Sequence, residues 1–343
     1  MKKFLQQTAL AAGLMAVGFG VHAQTITLKV HHFLSAQTIQ HTTMLGDWCK
    51  NIQRDSKDRL KCEIFPSMQL GGTPVQLYEQ ARDGVVDVAW TLQAFTPKLA
   101  KLEVFELPFM MTNAEATSRA AWDYGQKYAQ DDFKDVKMLA IHVHGPGNIY
   151  TKNKAVTTMA DLKGLKVRAP TRQVNKMVAM MGATPVAMPV PQVPEALSKG
   201  VIDGAVIPYE VAPSLKVNEL TNFTAETDRS YNALYTTVFV LPMNKAKYDS
   251  LPADLKAVID KNSGRELSAF LGATQAGNDV PGRKVFEETK TQTITVIPPA
   301  ELARWKKATD EQDDEWVQTM NKRGLNGAAL LKDAQDLIKQ YTK

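Results

Sequence analysis

Enzyme signatures are what this chain of 343 residues has least of. It contains no G-x-S-x-G elbow, no H-E-x-x-H pair and no G-x-x-x-x-G-K-[ST] loop, so the best-marked hydrolase, metalloprotease and nucleotide chemistries have no motif to rest on. Gly145-Pro146-Gly147 lacks the third glycine of a dinucleotide fingerprint. Cysteine is nearly absent: Cys49 and Cys62 are the only two, and no histidines are spaced to complete a zinc site with them. Neither a metal nor an organic cofactor is expected. Charge of one sign is also lacking. With 41 basic and 36 acidic residues scattered along the chain, nothing argues for a nucleic-acid partner.

Long apolar runs are missing beyond the first residues. Lys2 and Lys3 precede an apolar stretch from Leu10 to Val21, and Val21-His22-Ala23 has the small-residue pattern of a signal peptidase site. Cleavage after Ala23 and a soluble, periplasmic protein are expected; a membrane anchor is the alternative, for which the stretch is short. Removing residues 1–23 takes two of the 41 basic residues and no acid, leaving a formal charge of +3. Export permits a disulfide. Cys49, near the end of a predicted helix, and Cys62, on the next strand, are its candidates, with two buried thiols as the other reading.

The remaining chain reads as repeated strand and helix. Ile26, Leu28 and Val30 alternate toward His31-His32-Phe33, a helix covers about Thr38 to Asp55, Leu60 to Phe65 is a strand, Val75 to Arg82 a helix, and Val85 to Trp90 a third strand. After a helical stretch at Ala114 to Tyr128 and a strand at Met138 to Val143, the pattern restarts around Leu165 and Val167, which implies two α/β lobes. Leu255, Val258, Ile259, Leu267, Phe270 and Leu271 share a helical face, predicting one long helix from near Leu251 until Pro281. A charged helical region spans roughly Glu301 to Tyr341.

In an open α/β sheet, ligands sit beyond the carboxyl ends of the strands, where the next helix begins with unpaired N–H groups. Arg168 falls at such an end, and a guanidinium there can hold a carboxylate through two parallel hydrogen bonds. Arg172 shares that helix start. His32 and His144 lie at other strand ends, as donors to a bound acid rather than as metal ligands. Trp90, Gln93 and Phe95 follow the third strand, while Tyr150, Tyr209 and Glu210 follow later ones. Phe33, Asn148, Val190 and Ile207 complete the candidate ligand-binding set.

The stretch DLKGLKVRAP at 161–170, followed by GATPVAMP and ALSKGVIDG, resembles the signature region of the substrate-binding proteins of tripartite ATP-independent periplasmic (TRAP) transporters, the DctP-like family. FPSMQLGG at 65–72, ARDGVVDVAW at 81–90, FELPFM at 105–110 and SLPADLK at 250–256 fall in the same order as in that family. The resemblance implies two α/β lobes with mixed, mostly parallel sheets, flanking helices and a long helix spanning both. The lobes close over an organic acid, and the loaded protein docks on the membrane subunits of a TRAP permease. The expected division is residues 24–145 with 233–274, and residues 146–232 with 275–343. Arg168 takes the place of the family's carboxylate-binding arginine. Three departures bear on the ligand. A second arginine common in relatives is replaced by Gly147, the usual DGQENP is DGAVIP with Ile207 where an asparagine faces the ligand, and Leu92 and Phe95 stand where sialic-acid binders carry an acid and an arginine. An apolar monocarboxylate of the benzoate, benzoylformate or phenylpyruvate type is therefore expected. An exported enzyme using Glu210 and a histidine for proton transfer, and a ligand sensor, are the alternatives.

Overall fold

A computed structural model describes residues 25–342, so the expected signal peptide and its cleavage after Ala23 lie outside the described residues. Twelve strands form two six-stranded sheets: β1 (Ile26–His31), β2 (Leu60–Phe65), β3 (Val88–Ala89), β4 (Thr91–Leu92), β5 (Val136–Val143), β6 (Gly147–Thr151), β7 (Lys166–Ala169), β8 (Thr184–Ala187), β9 (Gly204–Pro208), β10 (Phe223–Thr227), β11 (Val238–Asn244) and β12 (Thr293–Ile297). The first sheet has the order β2-β1-β3-β11-β4 with β5 also on β11; the second runs β12-β10-β6-β9-β7-β8. β1 pairs in parallel with β2 and β3, and β7 with β8 and β9, as strand–helix–strand units require.

β11 runs antiparallel to β3, β4 and β5. All seven of its residues are buried, so it lacks the alternation that marks a strand in sequence, and Pro242 sits at a bulge where no ladder N–H is needed. The third strand is shorter than expected. Gly84, at φ +79°, ends the preceding helix, and Val85 and Val86 still donate to the carbonyl of Gln80, so the strand begins only at Val88.

The single long helix expected over Leu251 to Pro281 is three. Ala253–Lys261 stops before Gly264, whose φ of +91° no L-residue adopts easily and whose N–H leaves the helix to donate to Leu139 O at 2.7 Å. Arg265–Gly277 and Asp279–Glu288 follow, and Pro281 lies in the first turn of the last, where its missing N–H costs nothing. The link between lobes is thus a helix pair jointed at Asn278: the first member packs on β5, the second against β12. The β5–β6 connection crosses beside it. A Cβ at Gly145 would lie 1.9 Å from Asp279 Oδ2, so glycine is required where the two crossings touch.

The charged C-terminal region is likewise three helices, Pro299–Thr309, Glu311–Lys322 and Gly327–Tyr341. The first buries Leu302 and Trp305 with Val174 and Met177 under the second sheet. The last returns to the first lobe, where Leu330, Ala334 and Ile338 pack with Ala120 and Tyr124. The chain from 275 onward therefore does not all belong with residues 146–232. Cys49 and Cys62 are bridged, with a Cα–Cα separation of 5.7 Å, tying the helix Gly46–Asp55 to β2.

Candidate functional site

The carboxyl ends of β1, β5, β7 and β9 and the amino end of antiparallel β11 meet between the lobes around one cavity. The first sheet supplies an aromatic wall. Trp90 stacks on Phe239 with ring centres 4.4 Å apart and planes 7° from parallel, and Phe33 stacks on Trp90 at 5.2 Å. Trp90 Nε1–H donates to His142 Nε2 at 2.9 Å, which locks the indole plane. Leu34, Leu92, Phe95, Val190, Ile207 and Val211 make most of the remaining lining apolar.

Into this surface projects Arg168, 3% exposed. Its Nε–H donates to Met188 O at 3.0 Å and its Nη1–H to Val206 O at 3.2 Å. These bonds fix the guanidinium plane and use two of its five N–H groups. Burial pushes its pKa down to about 10, against a smaller upward effect of the neighbouring Tyr235. At neutral pH it is a buried cation with no carboxylate partner among the described residues, an expensive arrangement unless an anion joins it.

Tyr235 lines the same cavity beside Arg168, and its buried hydroxyl has no hydrogen-bond partner among the described residues. Its ring lies over Gly147: a Cβ there would come within 2.0 Å of Tyr235 Cε1 and 2.6 Å of its hydroxyl. The space a side chain at 147 would need is filled by this phenol.

His144 also lines the cavity but offers no donor to an acid. Thr237 N–H donates to its Nε2 at 3.1 Å, so Nδ1 carries the proton and gives it to Gly145 O. Burial, with the nearby Arg168 adding to it against the Gly145 bond, holds its pKa down at about 4, so the ring is neutral. Glu210 faces the cavity from the second lobe. Gln40 Nε2 donates to one of its oxygens at 2.8 Å and Gln275 Nε2 to the other at 3.0 Å, while its backbone N–H donates to Asp279 Oδ1.

Of the expected residues, Arg168, Phe33, Trp90, Phe95, His144, Val190, Ile207 and Glu210 meet at this cavity. Six others lie elsewhere. His32 has both ring nitrogens engaged, with His41 Nδ1 at 3.0 Å and with Leu34 N–H at 3.3 Å. Gln93 is wholly buried and donates to Leu99 O. Tyr150 lies within β6 rather than after a strand and packs on Tyr209 and Phe286. Asn148 and Tyr209 border a separate groove, where the Tyr209 hydroxyl donates to Glu226 at 2.6 Å. Arg172 points outward, half exposed, and pairs with Glu103 of the first lobe; Gln173 donates to the same carboxylate. Tyr235, Thr237, Phe239, Gln40 and Gln275 are cavity residues that strand-end reasoning missed. The signal that finds Tyr235 and Phe239 is the antiparallel sense of β11, which brings an amino end to the crevice.

Burial makes stability depend on pH in two opposing ways. Glu106, Glu210 and Asp279 are raised to about 8, 7 and 8 from ordinary values of 4.5, 4.5 and 3.8. The folded state holds these protons when the unfolded chain has shed them, so stability from these groups is complete below about pH 4 and lost as pH rises toward 8. His32, His142 and His144 are lowered to about 3, 3 and 4 from 6.5. The unfolded chain protonates these first, so stability is lost as pH falls below 6.5. The two sets offset between about pH 4.5 and 6.5. Urea midpoints of ligand-free protein should be flat in that window and fall on both sides; a rise from about pH 6.5 to 8 would contradict this assignment.

Residues 30–319 match the family model of bacterial extracellular solute-binding protein family 7, DctP. The outer membrane transporter protein TsaT of Comamonas testosteroni is 26% identical, with 96% of each chain covered. A TRAP solute-binding protein from Rhodoferax ferrireducens T118, crystallised with copurified benzoate, is 51% identical with a TM-score of 0.91, covering 92% of this chain and 98% of its own. A marine metagenome TRAP solute-binding protein specific for aromatic acid ligands, with 3-hydroxybenzoate bound, is 45% identical with a TM-score of 0.91, covering 93% and 100%. A Bordetella bronchiseptica TRAP solute-binding protein with bound mandelate is 27% identical with a TM-score of 0.85, covering 92% and 100%.

Proposed function

Since the chain belongs to the bacterial extracellular solute-binding protein family 7, we propose that it is a periplasmic receptor for an aromatic monocarboxylate, and that it hands this acid to the membrane subunits of a TRAP permease. The observation that carries the reading is Arg168: one oriented, buried guanidinium without a counter-charge, set in an aromatic-walled cavity between the lobes. The relatives of 51%, 45% and 27% identity that hold benzoate, 3-hydroxybenzoate and mandelate support the same ligand class.

Binding and closure are coupled through the same contacts. The cavity draws its lining from both lobes, and Gln40–Glu210 and Glu103–Arg172 bond across the cleft. An acid that touches Arg168 on one lobe and the Phe33–Trp90–Phe239 wall on the other favours the closed state, because only there does it make both sets of contacts. Against the exported-enzyme alternative, both His144 nitrogens are occupied by backbone groups and both Glu210 oxygens by amides. A melting series with organic acids tests the reading. An aromatic monocarboxylate at about 100 times its Kd stabilises by about 2.7 kcal/mol and should be recovered chemically unchanged. Conversion of the acid to product, or stabilisation by succinate and malate in preference to benzoate, would overturn it.

A further inference from the structure

The cavity holds a cation and an acceptor cluster that do not neutralise one another. Arg168 and Glu210 share no hydrogen bond or ion pair: the guanidinium donates to Met188 O and Val206 O, while Glu210 accepts from Gln40 and Gln275. The cluster is Gln40, Glu210 and Gln275, all lining the cavity, with both glutamines fully buried. Each glutamine spends an N–H on a different oxygen of Glu210, and the amide carbonyl of each, Gln40 Oε1 and Gln275 Oε1, has no hydrogen-bond partner among the described residues. Two orphaned buried carbonyls in one ligand cavity are an exception that calls for a partner. The shortage is of donors. A proton placed on Glu210 would supply one donor and leave one carbonyl still unmet.

Resting on the reading that the ligand is an aromatic monocarboxylate, we infer that Gln40, Glu210 and Gln275 recognise a hydroxyl group on its ring, so that the substrate class is the hydroxylated aromatic acids. A hydroxyl fits this cluster better than a carbonyl or an ether does. It gives its proton to an amide carbonyl or the carboxylate and can accept from an amide N–H in return. The rest of the lining is mainly apolar, so a ring lacking the hydroxyl leaves the acceptors unmet in a closed site, and such sites discriminate strongly against the analogue without the donor. The cluster also spans the molecule. Gln40 belongs to the first lobe, Glu210 to the second and Gln275 to the crossing helix, so the hydroxyl contributes to closure as well as to affinity.

Calorimetric titration of the purified mature protein with benzoate, its three monohydroxy isomers and the three methoxy counterparts tests this. One hydroxy isomer is expected to bind at least about 10-fold tighter than benzoate, and its methoxy counterpart, which accepts but cannot donate, should show no gain. Gln40→Met and Gln275→Met should each shrink that hydroxy-to-benzoate ratio to below about 3-fold; should either variant fail to fold, the methoxy comparison decides alone. Benzoate binding as tightly as all three hydroxy isomers would overturn the inference and leave the aromatic-acid reading standing. Failure of every aromatic acid to bind, with another acid taken up, would overturn both.

Discussion

Replacing Arg168 with methionine should abolish aromatic-acid binding while leaving the ligand-free protein at least as stable as the parent. Both halves follow from the same geometry. The guanidinium is 3% exposed and meets no carboxylate among the described residues, so the apo fold bears the cost of a desolvated cation that a carboxylate ligand would relieve. Truncating one partner of a buried, hydrogen-bonded charge pair costs about 2–5 kcal/mol of binding, which is roughly 30- to several-thousand-fold in Kd. The apolar methionine stem fills similar volume without a charge to desolvate, and this relief offsets the loss of the two hydrogen bonds to Met188 O and Val206 O. Lysine is a poor substitute: its ammonium has no planar fork with which to hold Met188 O and Val206 O while presenting further N–H groups to a carboxylate. Titration with benzoate reads the first half and urea denaturation the second. Retained affinity, or a methionine variant that unfolds at much lower urea, would contradict the role given to this residue.

Gly147→Ala should be as damaging as an active-site substitution although it adds a single methyl group. The Cβ would stand 2.0 Å from Tyr235 Cε1 and 2.1 Å from Cζ, and the ring cannot simply slide, because Gly147 N–H is bonded to Tyr235 O at 3.1 Å. Overpacking of this kind costs about 1–3 kcal/mol, occasionally more, and here the group forced to move is the phenol beside Arg168. The variant should lose both stability and affinity. Pairing it with Tyr235→Ala removes the ring that the methyl group strikes, so the double variant should be more stable than the sum of the two single changes allows. Additive urea-denaturation energies would show that the two residues do not compete for that space.

Much of the candidate cavity is readable from the sequence, because Arg168 and Ile207 lie near the carboxyl ends of strands and Glu210 just past one, in strand–helix units whose ends converge by topology alone. Phe33, Trp90 and Phe95 were accessible by the same rule. Tyr235 and Phe239 were not. Phe239 lies at the start of a strand whose residues are all buried and show no alternation, Tyr235 just before it, and only the antiparallel pairing with β3, β4 and β5 brings that strand's start to the crevice. Gln40 and Gln275 sit on helices, where one more buried polar residue has no distinctive spacing.

The histidines show the opposite failure. Their residue type suggests donors, yet His32 and His144 satisfy both nitrogens within the protein, a property of rotamer and backbone path rather than of sequence position. The helix breaks at Gly264 because a continuous apolar face says nothing about a left-handed backbone, and Pro281 reads as a stop in sequence although proline is equally at home in a first turn. Gly147 is the instructive case: its significance lies in what replaced it. The tyrosine that occupies its side-chain space is 88 positions away in the chain, as the two numbers show.

The central claim is that one buried guanidinium in an aromatic-walled cleft selects a monocarboxylate with an apolar body. Calorimetric titration of the unmodified mature protein with benzoate and with succinate, under the same buffer, addresses it most directly. The expected result is one equivalent of benzoate bound, at least about 100-fold tighter than succinate, because a second carboxylate buried without a partner costs several kcal/mol. Succinate binding as tightly as benzoate, or more tightly, would contradict the account.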